Sequence, residues 1–310
     1  MSRYTVVCRT RKYGVKAIIT ITILFILVLF EVLGGRSYFD EILGLCGMLY
    51  MILLLFARRL TNEDKISVLL LLTVICIGVL SNVYSKINVS IYSVLVDLVV
   101  ESKFLWVFFA TKYFVTKVEM KDVSRILRPF AKIFAVTAMI FALISQVVNI
   151  GMTGSERYGL KEFKFFFPMS FQFLAVAMVA IAVISNKQSR KNYRYYICMC
   201  IALILATKSS PLLFSVFFLI LLVYLKKREE LKTSTLVILG VLVLILGTFQ
   251  IQTYLLNENA PRYLFFYYGG KTANTYFPFG AGFSTFGSDQ AARNYSELYF
   301  RYGFNGLFGM

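Results

Sequence analysis

The chain has 310 residues, of which 58% are hydrophobic and 16% charged, and its mean hydropathy is +0.71. A soluble domain is normally about 45–50% apolar and about 25% charged, so this composition excludes an ordinary soluble domain. Five cysteines in 310 residues exclude a disulfide-rich secreted scaffold. The absence of histidine excludes a histidine-ligated metal site and a Ser-His-Asp triad. We therefore predict an integral membrane protein that uses no metal and no other cofactor.

Nine apolar runs are predicted to be membrane spans. A bilayer core takes about 20 predominantly apolar residues in a helix. The fourth run is broken by Asp97, Glu101 and Lys103, and the seventh is short. The pattern predicts an all-α, polytopic transmembrane helical bundle over residues 1–249, followed by a long extracytoplasmic Gly/aromatic-rich loop, residues 250–310, which we call the terminal segment. The runs are Ala17–Leu33, Ile42–Phe56, Ile66–Leu80, Ile91–Val115, Phe130–Ile150, Phe166–Ile184, Tyr196–Ala206, Pro211–Leu225 and Ser234–Phe249.

The basic residues predict the orientation of the chain. With the N-terminus in the cytoplasm, 22 of the 33 Lys and Arg residues fall in cytoplasmic parts and 10 in outer loops. This bias is typical of a membrane protein that crosses the bilayer several times and has a cytoplasmic N-terminus. Most of the formal net charge of +17 is thereby explained by cytoplasmic basic residues that contact anionic lipid. It implies no nucleic-acid partner.

Two charged stretches leave alternatives open. Residues 112–128 alternate apolar and basic side chains, which fits an amphipathic helix on the inner membrane surface or an ordinary cytoplasmic loop. Asp97 and Glu101 are spaced to share one helix face. Charges at membrane depth are costly, so this pair fits a proton or ion relay, as in a transporter. In the other interpretation Glu101 and Lys103 lie near the inner interface and extend towards water.

Several outer basic residues are candidates for binding an anionic substrate. Arg157 lies in a loop rich in basic residues, Lys208 lies between two short spans, and Arg262 and Arg293 lie in the terminal segment. The guanidinium group presents a planar fork of donors that matches phosphate oxygens. These residues predict a diphosphate site at headgroup depth, with a solvated basic face as the alternative.

The terminal segment is rich in glycine and aromatic residues. It holds 8 of the 19 glycines of the chain. Aromatic rings suit the membrane interface and also stack on the apolar faces of sugars. Gly280 and Gly282 permit tight turns and close backbone approach to a ligand. A segment this long is usually functional or disordered, and its aromatic content argues against disorder.

Residues 277–306 of this segment, which we call the signature segment, read FPFGAGFSTFGSDQAARNYSELYFRYGFNG. The order Phe-Pro-x-Gly-x-Gly-Phe-x-Thr-Phe-Gly-Ser, then Tyr-Ser-x-Leu-Tyr and Tyr-Gly, resembles bacterial polysaccharide polymerases of the Wzy type, most closely those of streptococcal-like capsule loci. Upstream, Pro261-Arg262-Tyr263 and Arg157-Tyr158-Gly159 also fit, the latter being shared with the wider O-antigen ligase and polymerase superfamily. The resemblance extends to the topology and covers nearly the whole chain.

The resemblance implies glycosyl transfer on the outer face of the cytoplasmic membrane. The enzyme would join undecaprenyl-diphosphate-linked repeat units into capsular or O-antigen-type polysaccharide. Its expected partners are this lipid-linked glycan, membrane lipids, and a flippase and chain-length regulator of the same pathway. Under this resemblance, the expected catalytic residues are Arg157 and Arg262 as a diphosphate clamp and Asp289 and Glu297 as general-base candidates. The expected substrate-binding residues are Lys208, Arg293, Gly280, Gly282, Tyr295 and Tyr299.

Alternatives to these assignments stay open. Asp289 and Glu297 could instead form salt bridges with Arg293 or Arg301, and positioning alone could suffice without a base. A lipid-linked oligosaccharide flippase would account for the basic outer face, and a structural membrane subunit is a third option. Ligases of the superfamily are expected to use a histidine in the large outer loop, which favours a polymerase for this chain. The family normally continues through further spans beyond this segment, so we expect the chain to be C-terminally truncated.

Overall fold

The structure, a computed structural model, describes residues 14–33, 39–87, 89–157, 159–185, 192–227 and 260–306, together with the single residues 234, 237, 240, 241 and 248. It is mostly helical, with eleven α-helices among the described residues. In chain order these are α1 (Val15–Leu33), α2 (Phe39–Phe56), α3 (Asn62–Ser85), α4 (Ile91–Phe114), α5 (Lys117–Val147), α6 (Ser170–Ser185), α7 (Tyr193–Ile204), α8 (Ser209–Lys227), α9 (Pro261–Thr275), α10 (Asp289–Arg293) and α11 (Glu297–Arg301).

Each of the first eight predicted spans coincides with one of the helices α1–α8. Three of these helices, α2, α3 and α5, are long and apolar enough to cross a membrane among the described residues, and several shorter apolar helices accompany them. Together they indicate a helical membrane protein. The ninth predicted span, residues 234–249, lies mostly outside the described residues. The count of nine spans and the outer position of the terminal segment stay predictions.

Helix α5 begins well before the apolar run that predicted it. Thr116 and Glu119 form a capping box, in which the Thr116 hydroxyl accepts from the Glu119 N–H and the Glu119 carboxylate accepts from the Thr116 N–H. Such a box satisfies two free N–H groups at a helix start. The stretch 112–128 is therefore the end of α4, a short connection and the first turns of α5.

The chain divides into two compact units. Unit 1 comprises the described residues within Met1–Ser37 and Phe114–Val243, and unit 2 those within Tyr38–Tyr113 and Leu244–Met310. In unit 1, α5 packs against α6 and α7. Several small side chains on α5 are buried, and small residues let helix backbones approach closely in a membrane. They are Ala131, Ala135, Ala138, Ala142 and Ser145.

Unit 1 also contains a two-stranded antiparallel hairpin, a departure from the all-α prediction. Strands β1 (Thr153–Arg157) and β2 (Leu160–Phe163) pair with Arg157 opposite Leu160. The side-chain amide of Gln146, at the end of α5, accepts from the Lys161 N–H at 3.0 Å and donates to the Lys161 carbonyl at 2.9 Å. This exchange ties the exposed edge of the hairpin to the helix and satisfies backbone groups that β1 does not pair.

In unit 2, two glycines bring α2 close to α4. A Cβ atom on Gly44 would lie 2.6 Å from Cβ of Lys103, and one on Gly47 would lie 3.1 Å from the backbone of Trp106. Any larger residue would push the helices apart. The two contacts run in the same direction along both helices, so α2 and α4 are parallel, as the predicted spans two and four require.

The terminal segment is less loop-like than predicted. It contains the 15-residue helix α9, which starts with Pro261 at a position where its missing N–H costs nothing. The short helices α10 and α11 are N-capped by Ser288 and Ser296, whose hydroxyls accept from backbone N–H groups. Packed aromatic rings fill the space between these helices, namely Phe265, Tyr268, Phe286, Tyr299, Tyr302 and Phe304.

Candidate functional site

The signature segment lies on the last two turns of α3. The Asn82 side chain donates to the Phe283 carbonyl and accepts from the Phe283 N–H, both at 2.8 Å. The Ser81 hydroxyl lies 2.8 Å from the Phe279 carbonyl oxygen. A Cβ atom on Gly78 would overlap the Phe283 ring at Cε2. Helix α3 therefore offers a recess and two hydrogen-bonding side chains that fit this stretch of chain.

Gly282 is the residue that makes this close contact possible. Its φ is +94°, and a Cβ atom there would lie 2.6 Å from the backbone nitrogen of Asn82. Gly280 also has a positive φ, +81°, but no atom would lie within 4 Å of its Cβ. The sequence predicted close backbone approach at both glycines, towards a ligand. At Gly282 the close neighbour is α3, whereas Gly280 faces open space.

Helix α4 holds the same segment through two further polar contacts. Asp97 is buried, and its Oδ2 accepts from the Ser284 N–H at 2.6 Å. The Asn294 amide donates to the Ser93 hydroxyl at 2.7 Å. These α3 and α4 residues were not assigned to the site from the sequence, although Ser81 and Asn82 directly follow the apolar run Ile66–Leu80. A pair of polar residues at the end of that run is the signal that could have identified them.

The tyrosines predicted to bind substrate lie inside the folded segment. Tyr299 is buried, and its hydroxyl accepts from the Gly287 N–H at 2.9 Å. Burial raises the pKa of Tyr299, and the negative charge of Asp97 acts in the same direction. The Tyr295 ring packs against Tyr299, with ring centroids 5.6 Å apart. Their main contribution in this structure is to the packing of the segment.

The exposed surface of the terminal segment combines aromatic and polar groups. A shallow groove of about 520 Å³ runs along α9. The Lys271 ammonium at its side lies 5.9 Å from the Tyr268 ring centroid and 5.8 Å from that of Tyr302, within range of cation–π attraction. The groove residues are Tyr267, Gly270, Lys271, Asn274 and Thr275. Several other aromatic side chains of the terminal segment are exposed, among them Phe266, Phe277, Phe279 and Phe300.

Four charged residues of the signature segment, three of them predicted site residues, form short, exposed ion pairs. Arg293 Nε lies 2.6 Å from the Asp289 carboxylate, and Arg301 lies 2.6 Å from the Glu297 carboxylate. These are the salt bridges that the sequence left open as the alternative to a base. Arg301 also donates to the Tyr276 hydroxyl at 3.1 Å.

Arg262 and Arg157 take different places in the chain. Arg262 is in the first turn of α9, in unit 2. Arg157 is the last residue of β1, in unit 1. A joint role of the two arginines as a diphosphate clamp stays a prediction.

Lys208, predicted to bind phosphate, is the partner of a buried carboxylate in unit 1. Its ammonium lies 3.0 Å from Glu162, which is only 5% exposed. The Ser155 hydroxyl also donates to Glu162, at 3.3 Å. Burial alone would raise the pKa of Glu162, but neighbouring hydroxyl groups and the Lys208 charge outweigh it and lower the pKa below its ordinary value.

The charges of α4 do not act as one group. Asp97 is buried against the signature segment, while Glu101 is exposed. Lys103 contacts Asp40 and, at 3.2 Å, Glu41 at the start of α2. The sequence alternative of a relay through Asp97 and Glu101 therefore has no support in these contacts. Within the described ranges, no three Asp, Glu, Cys or His side chains form a cluster that could hold a metal ion.

Comparisons of the chain with protein-family models, with curated proteins and with solved structures find no significant match.

Proposed function

We propose that the protein is a membrane glycosyltransferase that polymerises undecaprenyl-diphosphate-linked oligosaccharide units on the outer face of the bacterial cytoplasmic membrane. The observation that carries the proposal is the ordered signature segment. Its buried side is fixed to α3 and α4 by Asn82 and Asp97, while its other side presents aromatic and cationic groups. A sugar polymerase needs such a rigid surface, because positioning of two reactants supplies a large part of the rate.

The groove on α9 has the chemistry that suits a sugar of the lipid-linked unit. Tyr267 offers an exposed ring for the apolar face of a pyranose, and Asn274 and Thr275 offer polar groups for its hydroxyls. Gly270 leaves the floor open, since no atom lies within 4 Å of the position a Cβ would take. Lys271 adds a positive charge for an anionic sugar or phosphate oxygen.

The arginines of the terminal segment suit the diphosphate group of the donor substrate. Arg293 and Arg301 are bound to carboxylates in exposed pairs, and exposed pairs of this kind contribute only about 0–1 kcal/mol. They can therefore be exchanged for a substrate phosphate at little cost. Arg262 lies on the helix that carries the groove. These three arginines, with Arg157 as a separate candidate in unit 1, would bind the donor.

In the proposed reaction, a hydroxyl oxygen at the non-reducing end of the acceptor unit attacks the anomeric carbon of the donor glycan. The new glycosidic bond forms as the bond from that carbon to the diphosphate oxygen breaks. The electron pair leaves with undecaprenyl diphosphate, and the hydroxyl proton passes to solvent. Arginine side chains stabilise the charge that develops on the leaving oxygen.

The flippase alternative receives less support. It drew on the basic outer face and on the charges of α4. Those charges have separate surroundings, since Asp97 lies beneath the signature segment, Glu101 is exposed and Lys103 lies beside Asp40. A flippase would also have no evident use for a groove of sugar-binding character on a fixed platform.

The experiment uses the purified full-length protein in proteoliposomes. The substrate is the pool of lipid-linked repeat units extracted from the cells that produce the protein. We expect the wild type to lengthen these units. Arg262→Ala should lower the rate by about 10²-fold, by analogy with loss of one transition-state donor, and Arg157→Ala is measured separately. Arg59→Ala, an exposed arginine after α2, serves as the control. Transfer of units across the bilayer without lengthening would refute the polymerase and favour the flippase.

A further inference from the structure

Asp97 is a buried carboxylate that the proposed chemistry does not use. It lies in the second turn of α4, in unit 2, and is 3% exposed. None of the seven ion pairs among the described residues includes it. A buried charge without an ionic partner is costly and needs compensating hydrogen bonds. The backbone N–H of Ser284 donates such a bond to it, at 2.6 Å.

Ser284 is held in an unusual backbone conformation at that contact. Its φ is +59°, in the left-handed region that non-glycine residues seldom occupy. The residue is 1% exposed, and its own hydroxyl has no hydrogen-bond partner among the described residues. Neither the side chain nor the intrinsic backbone preference therefore favours this turn. The Thr285 hydroxyl donates to the Gly282 carbonyl across the turn at 2.7 Å. Asn82 holds the neighbouring Phe283. The Asp97 carboxylate is the group that stabilises Ser284 itself, through its backbone N–H.

The turn at Ser284 connects the part of the signature segment that bears exposed aromatic side chains to the part that bears the arginines. On one side it leads to Gly280 and the exposed Phe279. On the other side, Gly287 donates to the Tyr299 hydroxyl at 2.9 Å and so connects the turn to the short helices that bear Arg293 and Arg301. A change in the turn would therefore move the aromatic and the cationic groups relative to each other.

We propose that Asp97 is a positioning residue, whose carboxylate accepts the Ser284 N–H and thereby fixes the signature segment in the geometry that polymerisation requires. This inference rests on the proposed function. In this role Asp97 accepts a hydrogen bond from the Ser284 backbone. It does not act as a general base that takes a proton from the substrate. At 3% exposure Asp97 does not reach a substrate on the surface of the segment.

Two substitutions at Asp97 separate the positioning role from a role of the charge. Asp97→Asn removes the charge and keeps an acceptor oxygen at the same place. Asp97→Glu keeps the charge and displaces the acceptor by one methylene. A positioning role predicts an active Asn variant and an impaired Glu variant, whereas a general base predicts the reverse. Asp97→Ala removes the acceptor altogether, and Glu101→Ala, an exposed carboxylate one turn further along α4, is the matched control.

Two readouts are needed on each variant in detergent or nanodiscs. The first is amide hydrogen exchange in peptides that cover residues 282–287, which reports on the turn without reference to activity. The second is kcat and KM per folded protein with the extracted lipid-linked units. We expect Asp97→Ala and Asp97→Glu to exchange at least 10-fold faster in this turn and to lose at least 10-fold in kcat. Asp97→Asn should stay within about 3-fold of the wild type, and Glu101→Ala should match the wild type.

Each contrary result has a distinct meaning. Unchanged exchange in Asp97→Ala, or in Asp97→Glu if the Ala variant does not fold, would show that Asp97 does not hold the turn, and the inference would fail. Faster exchange with unchanged kcat would limit Asp97 to a structural role and overturn the positioning role. An inactive Asn variant beside an active Glu variant would also overturn it. If the wild type itself lengthens nothing, the proposed function fails and the role in turnover fails with it, while hydrogen exchange still decides whether Asp97 fixes the turn.

Discussion

The side-chain amide of Asn82 and the backbone of Phe283, 201 residues apart in the chain, exchange two hydrogen bonds of 2.8 Å each. An asparagine amide provides one donor and one acceptor side by side, which matches the N–H and C=O of a single residue. The Asn82 side chain therefore satisfies both backbone groups of Phe283. It fixes the signature segment on α3 at one defined register.

Replacement of Asn82 should release this end of the segment. Asn82→Ala leaves the Phe283 N–H and C=O without partners and should lower the free energy of unfolding by about 2–4 kcal/mol. Asn82→Asp keeps the acceptor but sets a carboxylate against the Phe283 carbonyl, so it should also destabilise. Chemical denaturation in mixed micelles measures both. Asn305→Ala, at an exposed asparagine of the same segment, should change little, and an equal loss in that control would contradict the assignment.

Gly282 and Gly280 should respond differently to the same change. Both have a positive φ, which costs an alanine about 1–2 kcal/mol. At Gly280 no further cost is expected, because the space around its Cβ position is open. At Gly282 the new methyl group would overlap the backbone nitrogen of Asn82, so Gly282→Ala should cost at least about 3 kcal/mol. Thermal unfolding of the two variants side by side measures the difference, and equal losses would show that α3 does not lie against Gly282.

The Glu162–Lys208 pair should make the stability of unit 1 depend on acid. The pKa of Glu162 is lowered in the folded protein. The folded protein therefore stabilises the ionised carboxylate more than the unfolded chain does. The resulting stabilisation is fully present above the unfolded pKa, about 4.3, and is lost as the pH falls through the folded pKa. Comparison of the wild type with Glu162→Gln over this range of pH should show their stabilities converge in acid.

Removal of Lys208 tests the same pair from the other side. Lys208→Met leaves the buried Glu162 carboxylate without its cation and should lower the free energy of unfolding at neutral pH by about 1–3 kcal/mol. The double variant with Glu162→Gln should recover most of the loss. Lys161→Met, in the same hairpin, is the control. If the double variant is as unstable as Lys208→Met, the lysine acts through something other than Glu162.

Asp289 and Glu297 should prove dispensable as bases. Both are exposed partners of arginines, so Asp289→Asn and Glu297→Gln should change stability by no more than about 0.5 kcal/mol. Turnover in the proteoliposome assay should be retained within about 3-fold. Loss of a true general base would lower the rate by about 10²–10⁴-fold, and such a loss in either variant would restore that residue as the base.

Much of the fold could be predicted because it depends on local properties. Whether a run such as Ile66–Leu80 forms a helix in lipid depends on its own length and apolarity, since the backbone must satisfy its hydrogen bonds within the segment. Gly280 and Gly282 were predicted as turn positions and both have a positive φ, which is a property of single residues. The start of α5 at Lys117 was missed, although Thr116 and Glu119 form a capping box that the sequence displays.

The sequence by itself determined the membrane class of the protein and the places of its first eight helices. Only the tertiary structure decided which helices bind the signature segment, that Asp97 lies beneath Ser284, and that Lys208 pairs with Glu162. These pairings join residues far apart in the chain. The strength of a hydrogen bond or ion pair at a buried site depends on the positions of the two groups and on the exclusion of water. Both conditions arise only when the chain has folded.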